Sequence, residues 1–371
     1  GEQHPIHELA RNPKIYGLPQ QITEEIEQVI SASEVDHSDF VQQVGKACRY
    51  SGTFQGALHA VLKASSYEEG VRLSILAGGC NCSRSIQVGS LLGAIHGEEK
   101  IPKEWLDKTM TYSSGIFSES EEKSNLTEAQ ITKYERIIKV LGIKGQQTIL
   151  EIGSGWGGFA IYAAKNYGCH VTTTTISDEQ YAHVKKRIVE EELTNNIALL
   201  KRDYRDMEGE FDKLVSVEMI EAVGPQFLDT YLKKCSGLLK SDGIMLLQAI
   251  TMQDQRYDRA LNSVDFIQKY IFPGGFIPSV TAVVESAKRV SDLRLFDLED
   301  IGPHYAKTLM QWKQLFFNRL EEVRSLGYAE EFIRMWDFYL SYSAGGFMER
   351  ALSDAHFLFV KPDNRIVFQR S

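Results

Sequence analysis

The chain has 371 residues, 43% of them hydrophobic and 25% charged, with a formal net charge of −9. That is enough apolar material for one or two buried cores, so wholesale disorder is excluded, and the acidic balance argues against nucleic acid as a partner. No run of about 18 apolar residues occurs, so no membrane-spanning helix is predicted, and five scattered cysteines read as a reducing compartment rather than a disulfide scaffold.

Residues 20–97 carry apolar side chains at three- and four-residue spacing in "QITEEIEQVISA", "SDFVQQVGKACRY" and "FQGALHAVLKAS", which predicts helices and almost no strand. From Thr148 the texture changes to short β-rich runs between helical segments: "TILEIG", "CHVTTTTI", "IALLKRD", "KLVSVEM" and "GIMLLQAI". Strand and helix in alternation predict an α/β fold with a mostly parallel, doubly wound sheet, preceded by a small all-α module. The boundary is placed near Lys108, giving segments 1–108 and 109–371.

In the first segment, "LAGGCNCSRSIQVGSLLGAIHG" and "IPKEWLDKT" resemble the C-terminal third of the ADP-ribosylglycohydrolase and J1-crystallin family. An active hydrolase of that family carries aspartates after the paired glycines, because divalent metals want hard oxygen ligands. Cys80, Asn81 and Cys82 stand there instead, so the module is expected to be non-catalytic.

The stretch "EIGSGWGG" places Gly153 and Gly155 in a strand-to-helix turn, where bare backbone lets a ligand come close. Its spacing is tighter than the dinucleotide fingerprint, and Thr175 stands where a nicotinamide site would carry an acid. The pattern is similar to the first motif of class I S-adenosylmethionine methyltransferases. With "MTYSSGIF", "TISDEQ", "RDYRDM", "VEMIEAVG", "YIFPGGFIPS" and "HYAKTLMQW" in that order, residues 110–359 resemble the cyclopropane fatty acid synthase family, which includes the mycolic acid cyclopropane synthases.

That resemblance implies a Rossmann-like methyltransferase that uses S-adenosylmethionine to methylate the cis double bond of an unsaturated phospholipid acyl chain. By motif, Tyr112 and Ser113 cap the carboxylate end of the cofactor, Gly153 and Gly155 line its methionine part, Thr175 and Gln180 replace the ribose-binding acid, and Asp203 and Tyr204 border the adenine. Aromatic faces that steady a carbocation are expected from Tyr270, Phe272 and Tyr305. Proton removal is implied to fall to a bound bicarbonate held by Glu221, Tyr305 and the backbone of Ser114 and Ile250.

Two positions depart from the family pattern: Gln248 replaces a histidine, and Ala222 follows Glu221 where another histidine is usual. A glutamine can donate a hydrogen bond to an anion but carries no charge. Weaker anion binding would favour a methyl-branched or methylene product over the three-membered ring. His304, beside Pro303, reads as a structural hydrogen-bonder, and no metal-ligand spacing occurs in this half. The expected setting is cytoplasmic and peripheral to a membrane, where the lipid resides, and a homodimer is compatible with the resemblance. A small-molecule methyltransferase and a non-catalytic, crystallin-like protein are the competing readings.

Overall fold

The computed structural model describes residues 6, 20–44, 50–63, 107–118, 125–272, 274–325, 328 and 330–365. Cys48, Cys80, Asn81 and Cys82 lie outside them. The chain divides into two compact units. The first comprises Gly1–Pro102, Asp265–Pro273 and Phe316–Asp337, and the second comprises Lys103–Val264, Gly274–Leu315 and Phe338–Ser371. Two later segments thus join the first unit, which a single boundary near Lys108 does not provide for.

In the first unit, helices α1 (Gln20–Ser31), α2 (His37–Val44) and α3 (Tyr50–Lys63) follow from the spacing of their apolar residues. Ile26, Val29, Phe40, Leu58 and Val61 meet in one buried cluster.

The second unit is built on a seven-stranded sheet of order β3-β2-β1-β4-β5-β7-β6. Strands β1 (Thr148–Ile152), β2 (His170–Thr175), β3 (Ile197–Lys201), β4 (Phe211–Val217) and β5 (Leu239–Met252) run parallel to one another. The last strand, β7 (Leu352–Val360), inserts antiparallel between β5 and β6 (Arg294–Asp300). Helices α4 (Leu126–Leu141), α5 (Gly158–Tyr167) and α6 (Asp178–Glu190) serve one buried cluster, and α7 (Leu228–Gly237) and α8 (Val280–Val290) serve the other. Two long helices, α9 (Gly302–Asn318) and α10 (Glu330–Met348), follow the edge strand.

Period-two alternation explains both clusters, because successive side chains on a strand point to opposite faces. Ile149, Val215, Leu246 and Leu358 pack with α4, α5 and α6. Their chain neighbours Leu150, Leu214, Leu247 and Phe357 pack with α7 and α8. Strands apolar on both faces are what a doubly covered sheet requires, so the predicted α/β architecture is the one found.

Local signals set the element ends. Asn125 and Glu128 form a reciprocal capping box at the start of α4, and Gly142 closes it in the left-handed region at φ +61°. After β1 the chain turns outward to β2 and β3, then returns to lay β4 and β5 on the other side of β1. The carboxyl ends of β1 and β4 therefore part around a crevice, the place where ligands bind in open α/β sheets.

Candidate functional site

The crevice is bounded by the turn after β1. Gly153 and Gly155 adopt φ +94° and +48°, a region costly for other L-residues. A Cβ on Gly155 would lie 3.3 Å from Cε1 of Tyr112, and one on Gly153 would lie 3.3 Å from Cγ of Met219. The turn thus presents bare backbone to a cleft lined by Tyr112, Ser113, Lys133, Glu151, Ser154, Glu218 and their neighbours. At its mouth, Gln180 Nε2 donates to the Tyr112 hydroxyl at 3.1 Å, and Thr175 Oγ1 donates to Gln180 Oε1 at 2.9 Å. Three of the residues expected at the cofactor are therefore joined in one chain of hydrogen bonds.

The segment "YSSGIF" is fixed along one wall by groups from several elements. Lys133 on α4 is completely buried and donates to Ser113 Oγ at 2.5 Å, while Gln130 Nε2 donates to the Ser113 carbonyl at 2.8 Å. The Gly115 amide donates to Thr308 Oγ1 at 3.0 Å, and the Phe117 amide donates to His304 Nδ1 at 3.2 Å. His304 accordingly orders this wall, as a structural hydrogen-bonder does.

Below the turn sits a carboxyl cluster whose centre is Glu218, at the end of β4. Its Oε1 accepts from the Ser114 amide at 2.9 Å and from Gln248 Nε2 at 2.8 Å, and its Oε2 accepts from the Tyr305 hydroxyl at 2.6 Å. Gln248 also donates to Asp354 Oδ2 at 2.8 Å, and its Oε1 accepts from His356 Nε2 at 3.1 Å. Register explains the grouping: β5 pairs with β7 so that Gln248 faces His356 and Ile250 faces Asp354. Glu221, in the turn after β4, accepts from the Ile250 amide at 2.6 Å, and its Oε2 is buried with no partner. Tyr305 is held by stacking on Phe347 at 4.5 Å and by an edge contact with Trp312 at 6.2 Å.

Burial dominates the electrostatics. Glu151 is raised to about 8 by desolvation, against a hydrogen bond from Thr173. Glu221 is raised to about 8 by desolvation and then by the charge of Glu218, and Asp354 is raised well above the usual range by burial, Glu218 and Glu221. Desolvation raises Glu218 as well, but Lys133, Tyr305 and the Ser114 amide all act to keep it ionised. Lys133 is lowered to about 8 by burial, and His356 is pushed down to about 3, hence neutral. Low dielectric tolerates few charges unless they are paired or well hydrogen-bonded. Three donors converge on Glu218, which makes it the carboxyl of this cluster best equipped to carry a negative charge.

The sequence-predicted residues fall into groups. Tyr112, Ser113, Gly153 and Gly155 line the cleft, with Thr175 and Gln180 at its mouth. Ser114, Gln248 and Tyr305 meet at Glu218, and Ile250 meets Glu221. Asp203 is turned onto Arg205, bonded by a 2.7 Å ion pair and capping the Arg205 amide, and Tyr204 packs edge-on against Tyr231. Tyr270 and Phe272 belong to the 265–273 segment of the first unit, and Tyr270 packs against Phe266 at 5.4 Å.

The bicarbonate implied by the resemblance finds its expected donors already engaged here. Ser114, Gln248 and Tyr305 end on Glu218, and Ile250 ends on Glu221, so the donors meant for a small anion are taken by the protein's own carboxyls. A second anion there would put like charges together out of water, which is strongly disfavoured. The residues present do not fit bicarbonate.

Sequence reasoning missed Glu218, Asp354, His356, Lys133 and Glu151. Two carried a signal. Glu218 and Glu221 form an acid pair three residues apart at the end of a strand, and Glu151 is an acid inside an otherwise apolar strand.

A seven-stranded sheet with an antiparallel last strand beside β5, opened at the switch point by a glycine turn, is the fold of class I methyltransferases. Within that class the chain belongs to the mycolic acid cyclopropane synthetase family, whose profile matches residues 98–357. The ADP-ribosylglycohydrolase profile matches residues 4–135. The tuberculostearic acid methyltransferase of Mycobacterium tuberculosis is 38% identical over 248 residues, 66% of this chain and 58% of that protein. The cyclopropane-fatty-acyl-phospholipid synthase of Escherichia coli is 38% identical over 245 residues, 66% of this chain and 60% of that protein. Among solved structures, the cyclopropane synthase MmaA2 of Mycobacterium tuberculosis superposes with a TM-score of 0.65 at 28% identity, covering 72% of this chain and 95% of that one. The chain thus spans 58% and 60% of the length of those two curated relatives.

Proposed function

We propose that the chain transfers a methyl group from S-adenosylmethionine to the cis double bond of an unsaturated phospholipid acyl chain at a membrane surface, giving a cyclopropane. The observation that carries this reading is the meeting, in one cleft, of a bare glycine turn and a buried carboxylate held by three donors beside stacked aromatic rings. The mycolic acid cyclopropane synthase CmaA1 has been solved with SAH and CTAB at 28% identity to this chain and a TM-score of 0.65, which supports both a nucleoside sulfonium cofactor and an amphiphilic substrate.

The residues fit that cofactor. Gly153 and Gly155 supply a cradle that any Cβ would crowd, with Tyr112, Ser113, Thr175 and Gln180 disposed to hold its polar ends. When bound, S-adenosylmethionine supplies an electrophilic methyl group. Asp203 and Tyr204 are assigned to the adenine edge. A double bond is a poor nucleophile, so the protein must exclude water and stabilise the positive charge that grows on the acyl chain. Tyr305, Phe347 and Trp312 present aromatic faces worth about 0.5–2 kcal/mol each to such a cation. The ionised Glu218 adds a fixed opposite charge in low dielectric, where it acts most strongly.

The all-α module of residues 1–108 is proposed to take no part in the chemistry. Cytoplasmic, peripheral membrane association and a homodimer belong to the same reading. Among the described residues no helix is long and apolar enough to cross a membrane.

The test is incubation with S-adenosylmethionine and vesicles of unsaturated phospholipid, followed by mass spectrometry and proton NMR of the acyl chains. A gain of one methylene unit with cyclopropyl resonances is the expected result. The same gain with vinylidene resonances moves the assignment to the methylene product. A gain of CH4 with methyl-branch resonances, which requires a hydride donor as well, moves it to the saturated branch; both readings are favoured by the uncharged Gln248. Methylation of small polar acceptors alone, or no cofactor binding by calorimetry, overturns the proposal.

A further inference from the structure

We propose that Glu218 is the site's built-in anion: its carboxylate occupies the seat of an exogenous base and accepts the proton lost from the transferred methyl group, so turnover needs no bicarbonate. The inference rests on the methyltransferase reading above and deepens it.

Two independent features point to Glu218. Its carboxylate gathers the Ser114 amide, the Gln248 amide group and the Tyr305 hydroxyl, three donors from three separate parts of the chain, at 2.6–2.9 Å. Its backbone also sits at φ +46°, in the left-handed region, where a residue with a Cβ pays roughly 1–2 kcal/mol relative to ordinary helix or strand. A glycine would stand there without that strain. The chain instead places a long acid at the spot, and the strain is offset by the three bonds that hold its head.

Position selects Glu218 over its neighbours. It lines the cleft that the glycine turn opens onto, next to Val217 and opposite Ser113 and Lys133. Glu221 is tied by Oε1 to the Ile250 amide and does not line that cleft. The Tyr305 hydroxyl is already committed as a donor, and His356 stands behind Gln248. Lys133 is a cation where a base is wanted. Burial raises the proton affinity of Glu218 above that of an ordinary glutamate, as a base requires, while the charge of Lys133 and the donated hydrogen bonds restrain that rise.

The step balances without any further reagent. Methyl transfer leaves S-adenosylhomocysteine and an acyl chain that carries a new methyl group and one positive charge. A C–H bond of that methyl breaks, its electron pair forms the third bond of the ring, and the proton passes to a Glu218 oxygen. The product is a neutral cyclopropane and a protonated glutamate, which returns its proton to water before the next cycle. A saturated methyl branch would need a hydride donor as well, which this step does not supply.

The experiment compares the full chain with Glu218→Gln and Glu218→Gly, using S-adenosylmethionine and unsaturated phosphatidylglycerol vesicles in carbon-dioxide-free buffer, with and without sodium bicarbonate. Wild type is expected to turn over at a rate that bicarbonate changes by less than about two-fold, and Glu218→Gln to lose on the order of 10²–10⁴-fold, the range for a lost general base. Glu218→Gly relieves the backbone and empties the seat, so added bicarbonate should restore it by about ten-fold or more. Binding is read separately by line broadening of ¹³C-bicarbonate, expected with Glu218→Gly and not with wild type. A wild-type rate that collapses without bicarbonate, ¹³C broadening by wild type, or a Glu218→Gln rate near wild type would each overturn the inference. If wild type methylates no lipid, the functional reading fails instead, and the ¹³C measurement still decides whether the seat is filled.

Discussion

Tyr305 and Glu218, 87 residues apart, meet through a 2.6 Å hydrogen bond in which the phenol is the donor. The tyrosine thereby ties α9 to the end of β4 and favours the ionised carboxylate. Tyr305→Phe keeps the stacking on Phe347 and deletes only the donor. One hydrogen bond to a charged group is worth about 1.5–3 kcal/mol, so the lipid methylation rate should fall roughly 10–100-fold. Loss of a donor to the charged form raises the carboxyl pKa, so the acid limb of the pH–rate profile should also move to higher pH. An unmoved limb would detach Tyr305 from the titrating group.

Gly155 tests the cradle. In Gly155→Ala the new methyl group meets the Tyr112 ring at 3.3 Å with φ held at +48°. Strain of about 1–2 kcal/mol should leave the protein folded, while calorimetric affinity for S-adenosylmethionine falls by about ten-fold or more. Affinity within about two-fold of wild type would place the cofactor elsewhere.

Glu151 makes stability depend on pH. Its folded pKa is raised from 4.5 to about 8, so between those values the native state holds a proton that the unfolded chain has lost. The sign follows: this contribution is complete below the unfolded value and is lost as pH rises through the folded one. Glu151→Gln is neutral throughout, so its urea-derived stability relative to wild type should rise from pH 5 to pH 8 by about 1–3 kcal/mol. A difference that stays flat over that window would mean that Glu151 is not protonated in the native state.

Gln248 holds two carboxyls apart with one amide nitrogen, 2.8 Å from each. In Gln248→Leu both Glu218 and Asp354 lose that donor and His356 Nε2 loses its acceptor. Stranding buried polar groups costs about 1–3 kcal/mol each, so the melting temperature should drop by several degrees or more. A melting temperature equal to that of wild type would contradict the network.

Much of this was legible before any coordinates. The glycine turn could be read because only certain spacings let backbone approach a ligand, and the Thr175–Gln180 pair came with the family resemblance, which accounts for the missing acid after β2. Ser114, Gln248 and Tyr305 were expected around one small anion, whereas in the structure they meet at Glu218, and Ile250 meets Glu221. Glu218 reads as an ordinary strand end in "VSVEMIEAVG", and only the convergence of β4, β5 and α9 shows what its head does. Lys133 looks like a solvated helix charge, because sequence periodicity cannot tell that another segment covers that face of α4. Asp354 and His356 come from an antiparallel strand more than 100 residues from their partner Gln248, a register that no local pattern encodes.

The place of β7 has a temporal consequence. It follows β6 in sequence yet lies between β5 and β6 in the sheet, so β6 has no partner strand until Leu352–Val360 has emerged from the ribosome. Asp354 and His356 arrive on that same strand. A nascent chain halted before it would carry the glycine turn but an unsupported Gln248, and would therefore lack the finished Glu218 network while still tethered to the ribosome.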